Sequence, residues 1–161
     1  MRKSFARRLA LIVLLPAAFF GTVVVASPAQ AAPTTTQMQS DITYWTNQHR
    51  AQAGCAKVRT DGKLARAARN HSAWMARTGT FSHVGVRGSS FVTRAKVAGY
   101  ASPRSENIAW GQRTGAAVVS AWMKSPGHRA NIVNCSFKAI GVGMVKGVDG
   151  TLVWGQIFGR S

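Results

Sequence analysis

Four carboxylates limit what this chain can fold around. Glu106 is its only glutamate, and Asp41, Asp61 and Asp149 are its only aspartates, against 21 Lys and Arg in 161 residues. So few acids leave few places for acid–base or metal chemistry. Glu106 sits in the run Ser105-Glu106-Asn107-Ile108-Ala109-Trp110-Gly111, which is mostly apolar and offers no evident partner nearby in sequence. A lone acid in such company is either a paired structural anchor or a site group.

The N-terminus reads as an export signal. Arg2, Lys3, Arg7 and Arg8 form a positive segment, and an apolar stretch from Leu9 to Ala26 follows, interrupted by Pro16, Gly21 and Thr22. Ala29-Gln30-Ala31 is the small-x-small pattern cut by signal peptidases. The stretch is nearly long enough to span a bilayer, so a retained anchor is the alternative. The helix-weakening Pro and Gly favour cleavage, and no Cys near the cut invites a lipid. Residues 1–31 are therefore read as a signal peptide, 32–40 as a flexible polar lead-in and 41–161 as one domain, released outside the cell.

Removing 31 of the 161 residues leaves 130, enough for one domain with a real core. The cut lowers the formal charge from +17 by the four of Arg2, Lys3, Arg7 and Arg8, to +13. Such a charge attracts anionic cell-envelope polymers, anionic lipid or nucleic acid, or it serves solubility alone. The basic residues form no dense run and no aromatic stripe interleaves with them, which argues against nucleic acid as a specific partner. Cys55 and Cys135 are an even count in an exported chain and suggest a disulfide. A bridge 80 residues apart would stabilise by on the order of 4 kcal/mol through chain entropy.

Periodicity sketches the elements. Ile42, Trp45 and His49 fall at helical spacing with Gly54 as a stop. Asp61 opens a second amphipathic helix through Leu64, Ala68, His71 and Met75, closed near Gly79. Shorter helices are expected over 89–97 and 115–124, and another from Ser125 as N-cap and Pro126 as first residue to about Val133. Strands are expected over 139–145 and 151–158, with Asp149-Gly150 as the hairpin turn. Helices early and a hairpin late give an α+β class, with a sheet covered by helices on both faces.

Several chemistries lack their parts. A glycosidase needs two carboxylates across the scissile bond. Asp61 is better placed at a helix start, Asp149 in a turn and Asp41 in the first turn of a helix. There is no Gly-x-Ser-x-Gly, no His-Glu-x-x-His and no Cys-x-x-Cys. Gly141-x-Gly143 lies in a strand pattern and reads as close packing. Of the four histidines, His49 and His71 read as packed helix residues and His83 lies on a loop. His128 sits in the first turn of its helix, where the dipole favours a neutral ring. His83, Glu106 and His128 would make a mixed set that zinc accepts, if the fold brings them together.

The ordered motifs resemble the bacterial branch of the CAP superfamily, which includes cysteine-rich secretory and plant pathogenesis-related proteins. They are Asn47-x-x-Arg50, Phe81-Ser82-His83, Arg94 with Ala98-Gly99-Tyr100, and Glu106-Asn107-Ile108-Ala109. Trp122-Met123-x-Ser125-Pro126-Gly127-His128-Arg129-x-Asn131-Ile132, Ile140-Gly141-Val142-Gly143 and Trp154-x-Gln156-x-Phe158-Gly159 follow in order. The resemblance implies a three-layer α-β-α sandwich with a central antiparallel sheet and a shallow cleft where two His and two Glu converge. Matched position by position, the chain supplies His83, Glu106 and His128, with Ser125 where the second Glu stands, and Ser105 replaces a usual Gly. The incomplete set favours a non-enzymatic binding module for a divalent cation, a small ligand or a lipid, with no cofactor required. An extracellular hydrolase, zinc-assisted or with His as general base, is the alternative. A monomer is the expected state.

Overall fold

The computed structural model describes residues 33–160, so the expected signal peptide lies outside the described residues. Among the described residues, five α-helices run α1 (Thr35–Gln52), α2 (Gly62–Thr78), α3 (Phe91–Val97), α4 (Gly115–Lys124) and α5 (Pro126–Ile132). Four strands run β1 (Arg59–Thr60), β2 (Pro103–Trp110), β3 (Ala139–Lys146) and β4 (Leu152–Gly159). The sheet order is β1-β3-β4-β2. β4 pairs antiparallel with both β2 and β3, whereas β1 pairs parallel with β3. The expected antiparallel sheet is thus mixed, through a two-residue edge strand too short to leave a sequence pattern.

Strand alternation sorts the core onto two faces. Ile140, Val142, Met144, Trp154 and Phe158 meet Ile42 of α1, Val118 and Trp122 of α4, and Ile132 of α5. On the other face, Ala139 and Ile157 meet Leu64 and Ala68 of α2 and Ala95 of α3. The result is the α-β-α sandwich. α2 lies unusually close to the sheet because β3 presents glycine to it. A Cβ on Gly141 or Gly143 would collide with the α2 backbone at Leu64–Ala65 or Ala68–Arg69.

The punctuation of α2 is as the sequence requires. The Asp61 carboxylate accepts from the amides of Lys63 and Leu64, a cap worth about 1 kcal/mol. Gly79 closes the helix with φ +68°. Asp149 accepts from the amide and hydroxyl of Thr151 in the β3–β4 turn, and those bonds lower its pKa. The N-terminal end differs from expectation. The segment 32–40 is helical from Thr35, because the Thr34 hydroxyl accepts from the Gln37 amide and starts α1 there. Asp41 therefore sits inside α1, accepting from Gln37 Nε2 at 3.3 Å, and not in a first turn.

A buried cation ties the chain together below α1. Arg50 is 0% exposed, and among the described residues no carboxylate pairs with it. Its guanidinium donates to the carbonyls of Ala56, Ile132, Asn134 and Phe137 at 2.8–3.1 Å. Burial lowers its pKa. Cys55 and Cys135 form a disulfide beside it, with Cα atoms 4.8 Å apart.

Candidate functional site

Glu106 lies in the middle of β2, paired with Ile157 of β4. β2 is the last strand of the sheet, and alternation sends Glu106 toward α2 and α3 while Asn107 points toward α5. The Glu106 side chain is 1% exposed and its two oxygens are both taken. Arg94 of α3 donates from Nη2 to Oε2 at 2.7 Å. His83 Nδ1 lies 2.9 Å from Oε1. A carboxylate accepts, so Nδ1 carries a proton, and in the neutral ring the lone pair then sits on the exposed Nε2. Of the two pairs only Arg94–Glu106 is buried on both sides, since the His83 side chain is 53% exposed.

The loop that delivers His83 is fixed from beneath. Arg94 Nη1 donates to the carbonyls of His83 at 3.1 Å and Ser89 at 2.6 Å. His71 Nε2 donates to the Ser82 carbonyl at 2.8 Å. Gly85 is needed at the centre. A Cβ there would press within 2.9–3.0 Å of Arg94 Nη1, His71 Nδ1 and Ser89 Oγ. His71 Nδ1, Ser89 Oγ and Arg94 Nε around it are buried without partners.

His128 approaches from the opposite layer. Asn107 Nδ2 donates to the His128 carbonyl at 3.3 Å and to Gln156 Oε1 at 3.0 Å. Asn131 Nδ2 donates to Asn107 Oδ1 at 2.8 Å, and Gln156 Nε2 to Thr46 Oγ1 at 2.9 Å. This buried amide network pins α5 to the residue that follows Glu106. The His128 ring is half-buried, 6.5 Å from the Trp122 ring centre. Its pKa is lowered, first by burial and then by the charge of His83. Burial and a neighbouring imidazole thus favour the neutral ring, where the sequence pointed to the helix dipole.

The three expected residues are therefore joined unequally. Glu106 and His83 are in contact, and His128 stands within the electrostatic reach of His83. No hydrogen bond joins the His128 ring to Glu106 among the described residues. Nor does any group of three or more His, Cys, Asp or Glu among them converge to hold a metal ion. Ser125 occupies the N-cap position of α5, but its side chain makes no cap bond there, contrary to its expected role. Cavities of about 830, 560 and 350 Å³ lie elsewhere, the largest of these between the start of α1 and the β3–β4 turn. It lacks the histidines, so size does not mark the chemistry.

Two members of the site carry little sequence signal. Arg94 is the partner missing from the sequence neighbourhood of Glu106, and only its place in an ordered motif points to it. Spacing makes His71 a packed histidine, and it is 1% exposed and stacked on Trp74 at 5.5 Å. It also borders the ion pair. Burial lowers its pKa most, the Glu106 charge opposes that, and Arg94 and His83 add to the lowering.

This order of motifs and this sandwich have a match. The sequence profile of the cysteine-rich secretory protein family, CAP, fits residues 44–158. The chain belongs to the CAP family. Protein YkwD of Bacillus subtilis is 35% identical over 138 residues, covering 81% of this chain and 52% of its own length. Among solved structures, an extracellular SCP-domain protein of Bacillus anthracis superposes with TM-score 0.69 at 26% identity. The match covers 82% of this chain and 45% of that one. An outer surface protein of Borrelia burgdorferi gives TM-score 0.68 at 19% identity, covering 80% of this chain and 96% of its own. This CAP chain thus spans about half the length of YkwD. Among the described residues no helix is long and apolar enough to cross a membrane.

Proposed function

We propose that this CAP protein is a secreted, non-enzymatic binding module whose cleft at His83 and His128 takes a divalent cation or a small ligand. The supporting observation is the way Glu106 is used. Both its oxygens are bonded, at 2.7 and 2.9 Å, beneath the surface. A general base needs an oxygen that reaches substrate or water, and Glu106 has none without breaking a pair. Instead it orients a ring. A carboxylate that accepts from one imidazole nitrogen aims the other outward as a lone pair, the arrangement that stands behind metal-bound histidines. His83 Nε2 and the neutral His128 would be the protein ligands, with water completing the shell. Glu106 would act through His83, and Ser125 adds no charge where a second acid would sit. Such a pair makes an open, weak site beside the three- and four-ligand zinc centres of enzymes and fingers.

Export fits the disulfide, which persists in oxidising compartments, and fits the extracellular and outer-surface relatives. The positive charge would hold the protein near anionic envelope polymers. Hydrolysis is the competing reading. Zinc calorimetry on the protein from residue 32 onward separates the two, run beside H83A/H128A and S125E. Wild type should bind zinc, the double variant should lose at least about tenfold, and S125E should gain about tenfold by restoring an acid. Equal binding by wild type and double variant would end the cation reading. Cleavage of a peptide or glycan that H83A abolishes would favour the hydrolase.

A further inference from the structure

The loop that carries His83 is built inside out. Phe81, Val84 and Val86 are 53%, 56% and 54% exposed, so three of the large exposed apolar side chains of the described residues fall within six positions. The buried side of the same loop is polar. It is held by His71 on the Ser82 carbonyl, by Arg94 on the His83 and Ser89 carbonyls, and by the Gly85 amide on the Ser89 carbonyl at 2.8 Å. The apolar side chains cannot turn inward without breaking these bonds. Arg87 follows them in the left-handed region, at φ +54° and ψ +35°. A non-glycine residue there is strained, and it holds the loop tip in one shape.

The exposed charge of the segment that carries this loop has one sign. Between Asp61 and Glu106 the chain has no carboxylate and eight Lys and Arg. Those residues make up α2, the loop, α3 and the start of β2, the whole layer on one side of the sheet. Seven of the eight cations are exposed; the eighth, Arg94, is paired with Glu106. A rigid apolar tip on a strongly cationic layer supplies the two signals that peripheral attachment to a bilayer needs, apolar insertion and attraction to anionic headgroups. A soluble polyanion would use the charge and leave Phe81, Val84 and Val86 idle.

We infer that the 81–87 loop docks this protein onto a lipid surface carrying anionic headgroups, with Phe81, Val84 and Val86 entering the headgroup boundary and Arg87 pairing with phosphate. The docking does not depend on what the cleft binds. Vesicle co-sedimentation tests it, with phosphatidylcholine alone and with equal parts phosphatidylglycerol. Wild type should bind the anionic vesicles and leave the neutral ones. V84N/V86N should bind about tenfold more weakly, since two exposed valines lose their apolar transfer. R87Q should bind about fivefold more weakly. V148N removes an equally exposed valine from the β3–β4 turn and should bind as wild type does. Each variant changes an exposed side chain and should keep the parent melting temperature. If V84N/V86N binds like the parent, or soluble polyphosphate binds as tightly as the vesicles do and without regard to Val84 and Val86, lipid docking is wrong and charge alone is at work.

Discussion

Two arginines are drawn into this small domain, and they are drawn in differently. Arg50 has no counter-ion and places all three guanidinium nitrogens on four backbone carbonyls. Arg94 places one nitrogen on Glu106 and another on two loop carbonyls, and its Nε has no partner. The first region is closed: each guanidinium nitrogen has an acceptor, and a disulfide lies beside it. The second is incomplete, with unpartnered polar atoms on His71 and Ser89 and an exposed imidazole. Backbone carbonyls saturate the first cluster, whereas the second keeps buried polar atoms unpaired beside the histidine proposed as a ligand.

R50A should break the scaffold hardest. It leaves four carbonyls without donors, and unfolding by denaturant should show a loss of about 5 kcal/mol or no folded protein. R50K should rescue little, because an ammonium cannot span the same fork. A loss under about 1 kcal/mol would mean that water replaces the guanidinium and that the region is not closed. C55S/C135S should cost about 4 kcal/mol in the same assay, from a loop of 80 residues in the unfolded chain.

Much of the scaffold is legible in the sequence. Asp61 and Gly79 bracket α2 because capping is local chemistry, and the β3–β4 hairpin shows in its alternation and its Asp-Gly turn. β2 does not show. Its residues are covered by helices on both sides, so Glu106 and Asn107 sit buried in a run that reads as apolar and not as alternating. The start of α1 is hidden by three threonines, which look like a polar tail until one of them caps. The site is half legible. His83, Glu106 and His128 are each visible as chemistry, yet the bond from Arg94 to Glu106 closes over 12 residues and ends on a strand that the sequence does not show. His71 borders the ion pair from a helix face that spacing alone assigns to the core.

E106A should separate the two regions further. Removing the acid leaves Arg94 buried and unpaired, at about 3 kcal/mol, while the Arg50 region keeps its protection in local hydrogen exchange. Protection lost equally in both regions would show one cooperative block instead of two.

The smallest effect is in pH. The lowered pKa values of His71 and His128 mean that the folded protein refuses protons which the unfolded chain accepts at the ordinary 6.5. The unfolded state then binds more protons, so stability rises with pH in this window. It should fall as pH drops through about 6.5 and level off below the folded-state values. H71Q should flatten part of that slope; an unchanged slope would remove His71 from the explanation.

Nitrogen-15 spectra of the four imidazoles during titration with zinc speak most directly to the division between scaffold and site. The Nε2 signals of His83 and His128 should shift together, His83 Nδ1 should stay protonated against Glu106, and His49 and His71 should not move. Zinc that shifts His49 or His71, or leaves all four rings untouched, would contradict it.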